Sequence, residues 1–162
     1  MLQIRPARPV DLPGIAAVLE DTFDDPLRLL FGERRDRAPR LLELAFRGPV
    51  ERGYTGILVA ERDARVIGLL TLEPIVYTPR ERRQIEHLAR TELGLLRLLR
   101  AAFVLWLITH PTEPDEAHIG LLAVAADSQG EGIAGRLLVE AEIWARDHDR
   151  QRLTICLSER SA

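Results

Sequence analysis

Leu121-Leu122-Ala123-Val124 is an apolar run of the kind that forms a buried strand, and after five more residues Gly130-Glu131-Gly132 opens a stretch with helical spacing. Ile133, Leu137, Leu138, Ala141 and Trp144 share one face of a helix predicted over 131–146, and a further strand is expected over 152–157. Strand, glycine turn, helix, strand is a right-handed parallel crossover, which commits this part of the chain to an α/β fold. The first N–H groups of such a helix have no intrahelical acceptor and share the positive end of its dipole, so the turn is suited to a phosphate or pyrophosphate. Gly130 and Gly132 let such a ligand approach the backbone.

The rest of the chain supplies a sheet around this unit. Leu2-Gln3-Ile4-Arg5 alternates as a half-buried strand, and Asp11 is placed to cap a helix carrying Pro13 in its first turn and Leu12, Ile15, Ala16, Leu19 and Phe23 on one face. A second helix is predicted over 38–46, stopped by Gly48-Pro49, with the charged stretch 33–37 as a solvated face between the two. The runs 56–60 and 66–72 read as a hairpin joined by the five polar-rich residues 61–65. Helical character resumes over 80–108, where the uncharged segment 101–108 is far below the ~20 residues of a membrane span. The order β-α-α-β-β-α-β-α-β, without repeat or linker, predicts one mixed α/β domain over 1–162.

Composition narrows the chemistry. All 22 basic residues are arginine, so the phosphate-binding lysine of a Walker A loop and any Schiff-base or general-base lysine are excluded. A net charge of −3 gives no basic stripe for nucleic acid. Cys156 stands alone and cannot form an internal disulfide, and the N-terminus has no signal-peptide pattern, so a reducing cytosol is expected. No metal and no membrane partner are expected.

Two families use a turn of this kind. Gly130-x-Gly132-x-x-Gly135 satisfies the dinucleotide fingerprint, with Glu159 near the place of a ribose-binding acid, which would make the chain a nucleotide-dependent oxidoreductase. That match is weak alone, because residues 125–129 separate the strand from the first glycine and only one strand follows. Read instead as Gln129-x-x-Gly132-x-Ala134 after Leu122-Ala123-Val124, the same residues resemble the acetyl-CoA-binding motif of the GNAT superfamily of N-acetyltransferases. Ile4-Arg5-Pro6-Ala7, Asp11-Leu12-Pro13 and Val66-Ile67-Gly68 resemble that family's first strand, first helix and central hairpin.

The resemblance implies a mixed, mostly antiparallel central sheet flanked by helices, with acetyl-CoA as co-substrate. It implies that Leu122, Ala123 and Val124 bind the pantetheine arm through main-chain atoms, where their strand splays from the next. Gln129, Gly130, Glu131, Gly132, Ile133 and Ala134 would bind the pyrophosphate, with Gly135 and Arg136 at the edge, and a backbone N–H near Val124 would polarise the thioester carbonyl. In the histone-acetylating branch a glutamate serves as base six residues before the matching valine, and that position here is His118. Glu73, at the end of the third strand, is the competing base, and Glu116 a third choice.

The chain departs from the family at its end, where the usual Asn loop, the Tyr that protonates the thiolate and the closing strands have no counterpart. The last strand is then expected to be an exposed edge, covered by a partner chain or accompanied by impaired turnover. Neither Tyr54 nor Tyr77 lies at the family's tyrosine position, and Cys156 reads as a buried structural thiol. The expected activity is direct acetyl transfer to a primary amine of a small molecule or peptide in a ternary complex, by a bacterial homodimer. The alternative is a CoA-binding or protein-interaction module without turnover. Residues 95–106 are expected to line the acceptor cleft, and Asp21, Asp24 and Asp25 to attract a cationic acceptor.

Overall fold

The computed structural model describes residues 1–93, 113 and 115–155. Five strands form one sheet in the order β1 (Leu2–Pro6), β2 (Ile57–Arg62), β3 (Arg65–Glu73), β4 (Glu116–Val124) and β5 (Arg152–Ile155). The first three pairings are antiparallel and β4–β5 is parallel, so the mixed, mostly antiparallel sheet is as the sequence implied. Helices α1 (Leu12–Thr22), α2 (Asp24–Phe31), α3 (Ala38–Glu51) and α4 (Pro79–Leu93) precede β4, and α5 (Ile133–Asp147) makes the crossover to β5.

Alternation along the strands sorts side chains onto two faces. Ile57, Val59, Leu69 and Ala123 pack with Ile15, Val18 and Leu19 of α1 and with Phe46 and Val50 of α3. On the opposite face Leu58, Leu70, Leu72, Ala117 and Ile119 pack with Ile133, Leu137 and Ala141 of α5. A smaller cluster of Leu27, Phe31, Ala38, Ala89 and Leu93 joins α2 and α4 to the start of α3.

Four expectations are corrected. The hairpin link is two residues, not five, because the strands extend to Arg62 and Arg65; Asp63 and Ala64 both adopt positive φ (53° and 62°), which matches the strand twist. The second helix does not stop at Gly48-Pro49: α3 runs on to Glu51, with Pro49 buried and the Arg52 N–H donating to the Gly48 carbonyl at 3.1 Å. An additional helix, α2, precedes the charged stretch, which forms the 3-10 turn Gly32–Arg37 with no buried residue and is held by Arg35 to Asp24 and by Arg37 to Glu92 at 2.7 Å. Asp11 precedes α1 without capping it, because its carboxylate accepts from Arg5 and from the Arg8 N–H. Of the helix predicted over 80–108, the described part is α4, and no described helix is long and apolar enough to cross a membrane.

Candidate active site

The glycine turn is built as its residues require. Gly130 and Gly132 have φ of 78° and 76°, a region that L side chains rarely adopt, and a Cβ at either would meet nothing within 4 Å. α5 starts at Ile133, two residues later than predicted, so the N–H groups of Ile133, Ala134 and Gly135 are its first-turn donors, and the Arg136 N–H is the one that reaches the Gly132 carbonyl, at 3.2 Å. Buried Ile133 pins this turn to the core. Above it lies a groove of about 430 Å³ lined by Thr22, Leu122, Ala123, Val124, Gln129, Gly132 and Ala134. An open cradle with unpaired first-turn donors fits a pyrophosphate.

The turn is fastened from the hairpin side. Ser128 is buried; its hydroxyl donates to Asp127 at 2.9 Å and accepts from Arg62 at 3.1 Å. Arg65 pairs with Asp127 at 2.7 Å, and Arg62 also pairs with Glu131. Glu131 is not among the residues lining the groove, and its carboxylate is taken up by Arg62. Arg136 is exposed. The acidic trio does not converge on a cation: Asp21 accepts from the Ala126 N–H at 2.6 Å, Asp24 pairs with Arg28 and Arg35, and Asp25 is exposed.

The register sets which backbone groups β4 presents. The Ala125 N–H donates to the Ile67 carbonyl, so the hydrogen-bonded pairs on this ladder are Ala125 with Ile67 and Ala123 with Leu69. Leu122 and Val124 fall between them and turn their N–H and C=O groups away from β3. The Val124 carbonyl accepts from Gln129 Nε2 at 3.1 Å and from the Thr22 hydroxyl at 3.4 Å. Described β5 pairing ends at Ile119 with Ile155, short of Leu122.

A bulge then brings the titratable candidates together. Thr71 faces Leu121 but Leu72 faces Ile119, leaving Gly120 as the extra residue on β4. One inserted residue reverses the alternation, so His118 lies opposite Glu73 and on its face, away from α5. A Cβ at Gly120 would stand 2.7 Å from Glu73 Oε1 and 3.2 Å from Thr71 Oγ1, so a larger residue there would displace the Glu73 carboxylate. Glu73 accepts from the Ile75 N–H at 2.7 Å. The Thr71 hydroxyl is fully buried and has no hydrogen-bond partner among the described residues. The two sequence candidates for base are thus cross-strand neighbours rather than competitors in separate places.

Glu116 is the third member. Its carboxylate accepts from the Thr154 hydroxyl, and Thr154 Oγ1 is 2.9 Å from His118 Nδ1. The Thr154 hydroxyl first, then the Glu113 N–H, hold the Glu116 carboxyl below its ordinary range against the opposing effect of burial. Two tyrosines stand near Glu73. Burial first, then the Glu73 charge, pushes the Tyr54 phenol up to about 12, and the same two causes raise Tyr77. Tyr54 donates its hydroxyl to the Leu72 carbonyl at 2.6 Å.

The structure sets the glycine turn against the groove and His118 opposite Glu73, and joins to them Ser128, Arg62, Thr71 and Thr154, which sequence reading had not singled out. Pairing of Arg62 and Arg65 with acids across the turn offered the one usable signal, a charge alternation over 61–65 facing Asp127 and Glu131. Residues 95–106, Cys156 and Glu159 lie outside the described residues. Among those described, no group of three or more His, Cys, Asp or Glu is placed to hold a metal.

With this geometry in view, comparison is informative. The sequence matches the Acetyltransferase (GNAT) family over residues 17–161. The chain belongs to that family. Solved structures agree in fold at low identity. A GNAT family acetyltransferase from Brucella melitensis in complex with acetyl-CoA aligns with a TM-score of 0.57 at 21% identity, covering 99% of this chain and 79% of that one. An N-acetyltransferase from Staphylococcus aureus Mu50 gives 0.57 at 16%, covering 99% and 76%. The ribosomal-protein-S18-alanine N-acetyltransferase from Escherichia coli gives 0.56 at 12%, covering 100% and 70%. No curated protein matches the sequence. The parallel doubly wound sheet that a dinucleotide fingerprint requires is not what β1–β5 form, since one of their four pairings is parallel.

Proposed function

We propose that this protein is an acetyl-CoA-dependent N-acetyltransferase that acts by direct transfer to a primary amine of a small molecule or peptide, in a reducing cytosol. The observation that carries the reading is the open turn at Gly130 and Gly132 beside the outward-facing backbone of Leu122 and Val124. Acetyl-CoA supplies the acetyl group as an activated thioester. The N–H groups over 130–135 receive the pyrophosphate, Gly135 and Arg136 border it, and Leu122, Ala123 and Val124 hold the pantetheine arm through main-chain atoms. A Val124 N–H directed away from β3 polarises the thioester carbonyl.

An alkylamine with a pKa near ~10.4 arrives protonated at neutral pH. His118 accepts one proton from this ammonium. Glu73, opposite it on β3, attracts the cationic amine. The freed amine bonds to the acetyl carbon as the carbon–sulfur bond breaks, and the second amine proton leaves with the thiolate. Atoms and charge balance: amide, CoA thiol and one proton on His118.

The test is thiol release from acetyl-CoA across a panel of primary amines, with cofactor binding measured by calorimetry. Binding together with amine-dependent release is expected. Binding without release for any amine would reassign the protein as a CoA-holding module, and failure to bind acetyl-CoA would remove both readings.

A further inference from the structure

The Glu116–Thr154–His118 contacts form a directed chain. A carboxylate can only accept, so the single Thr154 proton goes to Glu116 Oε1. The Thr154 oxygen can then only accept from His118 Nδ1, 2.9 Å away, and Nδ1 must carry the ring proton. Parallel pairing of β4 with β5 makes this possible: His118 stands opposite Thr154, and Glu116, two residues earlier on β4, falls on the same face. We propose that Glu116 is a positioning residue which, through Thr154, locks His118 in the Nδ1–H tautomer, so that Nε2 is the nitrogen that accepts the substrate proton. The catalytic half of this rests on the reading of His118 as proton acceptor given above; the tautomer does not.

Among the described residues Glu73 lies opposite His118 on β3, and Glu116 lies two residues before it on the same face, with Arg152 of β5 acting on Glu116. Glu116 thus has the role of orienter, not of a base in its own right.

The protein supplies its own reference. His148 Nδ1 lies 2.8 Å from the Trp144 carbonyl, which can only accept, so His148 is an Nδ1–H histidine outside the relay. Long-range proton–nitrogen NMR of the full chain at pH 8 distinguishes the tautomers of its four histidines without any substrate. His118 is expected to share the His148 pattern, to lose it in Thr154→Val and in Glu116→Gln, and to regain it in Thr154→Ser, while His148 stays unchanged in all. A wild-type His118 protonated on Nε2, or a Thr154→Val spectrum identical to wild type, overturns the relay. In transfer assays Thr154→Val is expected to lower kcat/KM at least about tenfold with the KM for acetyl-CoA unchanged. A correct tautomer combined with full activity in His118→Gln overturns the catalytic half alone, which separates failure of the relay from failure of the functional reading.

Discussion

Two polar clusters lie on the same face of the sheet, one at the β1 edge and one at the interior β3–β4 bulge, and they differ in how completely they are satisfied. At the β1 edge, all five N–H donors of Arg5 are engaged: with Asp11 at 2.6 and 2.8 Å, with Pro6 O at 3.1 Å, and twice with Glu61. At the β3–β4 bulge, Thr71 has no hydrogen-bond partner among the described residues and Glu73 accepts from one backbone N–H. A closed network fixes the chain's entry into α1. The second lies on the strand whose end lines the groove, and it keeps one buried hydroxyl unsatisfied among the described residues. The contrast suggests that satisfaction, more than polarity or burial, separates structural ionic groups from chemical ones here.

The largest effect that would sharpen this contrast is expected at His118. His118→Gln should lower kcat/KM for acetyl transfer by roughly 10²- to 10⁴-fold while the melting temperature stays near wild type. A variant that unfolds instead would place His118 with the structural cluster. The mirror experiment is Arg5→Ala, which strands two acids and should cost about 3 kcal/mol in chemical denaturation with the KM for acetyl-CoA unchanged. Its pH dependence follows from Asp11. Burial alone would raise that carboxyl, but Arg5 and the Arg8 N–H outweigh it, so the folded pKa lies below the ordinary 3.8. The pair's contribution is complete above the unfolded value, and the gap between wild type and Arg5→Ala should close as pH falls below about 4.

Smaller effects are expected at the bulge. Gly120→Ala drives a methyl against Glu73 and should cost roughly tenfold in kcat/KM, with cofactor binding retained. Normal turnover in that variant would show that the position of Glu73 is irrelevant to the reaction. Thr71→Val removes an unpaired buried hydroxyl and should raise stability by about 1 kcal/mol, whereas any comparable substitution in the Arg5 cluster should lower it.

Much of this architecture was legible in the chain. Leu121 to Val124 and the spacing of Ile133, Leu137 and Ala141 are local signals, and the Gly130–Gly132 turn announces itself because few other residues tolerate those dihedrals. Elements set by long-range packing were harder. α2 has a short, charged sequence and is held by Leu27 and Phe31 against α4. Pro49 read as a stop because the local rule is sound, yet burial of Phe46, Pro49 and Val50 carries α3 one turn further.

Sequence by itself determined the crossover, the glycine turn and the absence of lysine chemistry, since each depends on residues adjacent in the chain. It placed His118 an even six residues before Val124, which strict alternation assigns to one face. Only the tertiary structure decided otherwise. Leu121 pairs with Thr71 and Ile119 with Leu72, so Gly120 drops out of the ladder and His118 turns towards Glu73, Thr154 and Glu116. A bulge is a property of two strands meeting in register, and those strands lie more than forty residues apart in the chain.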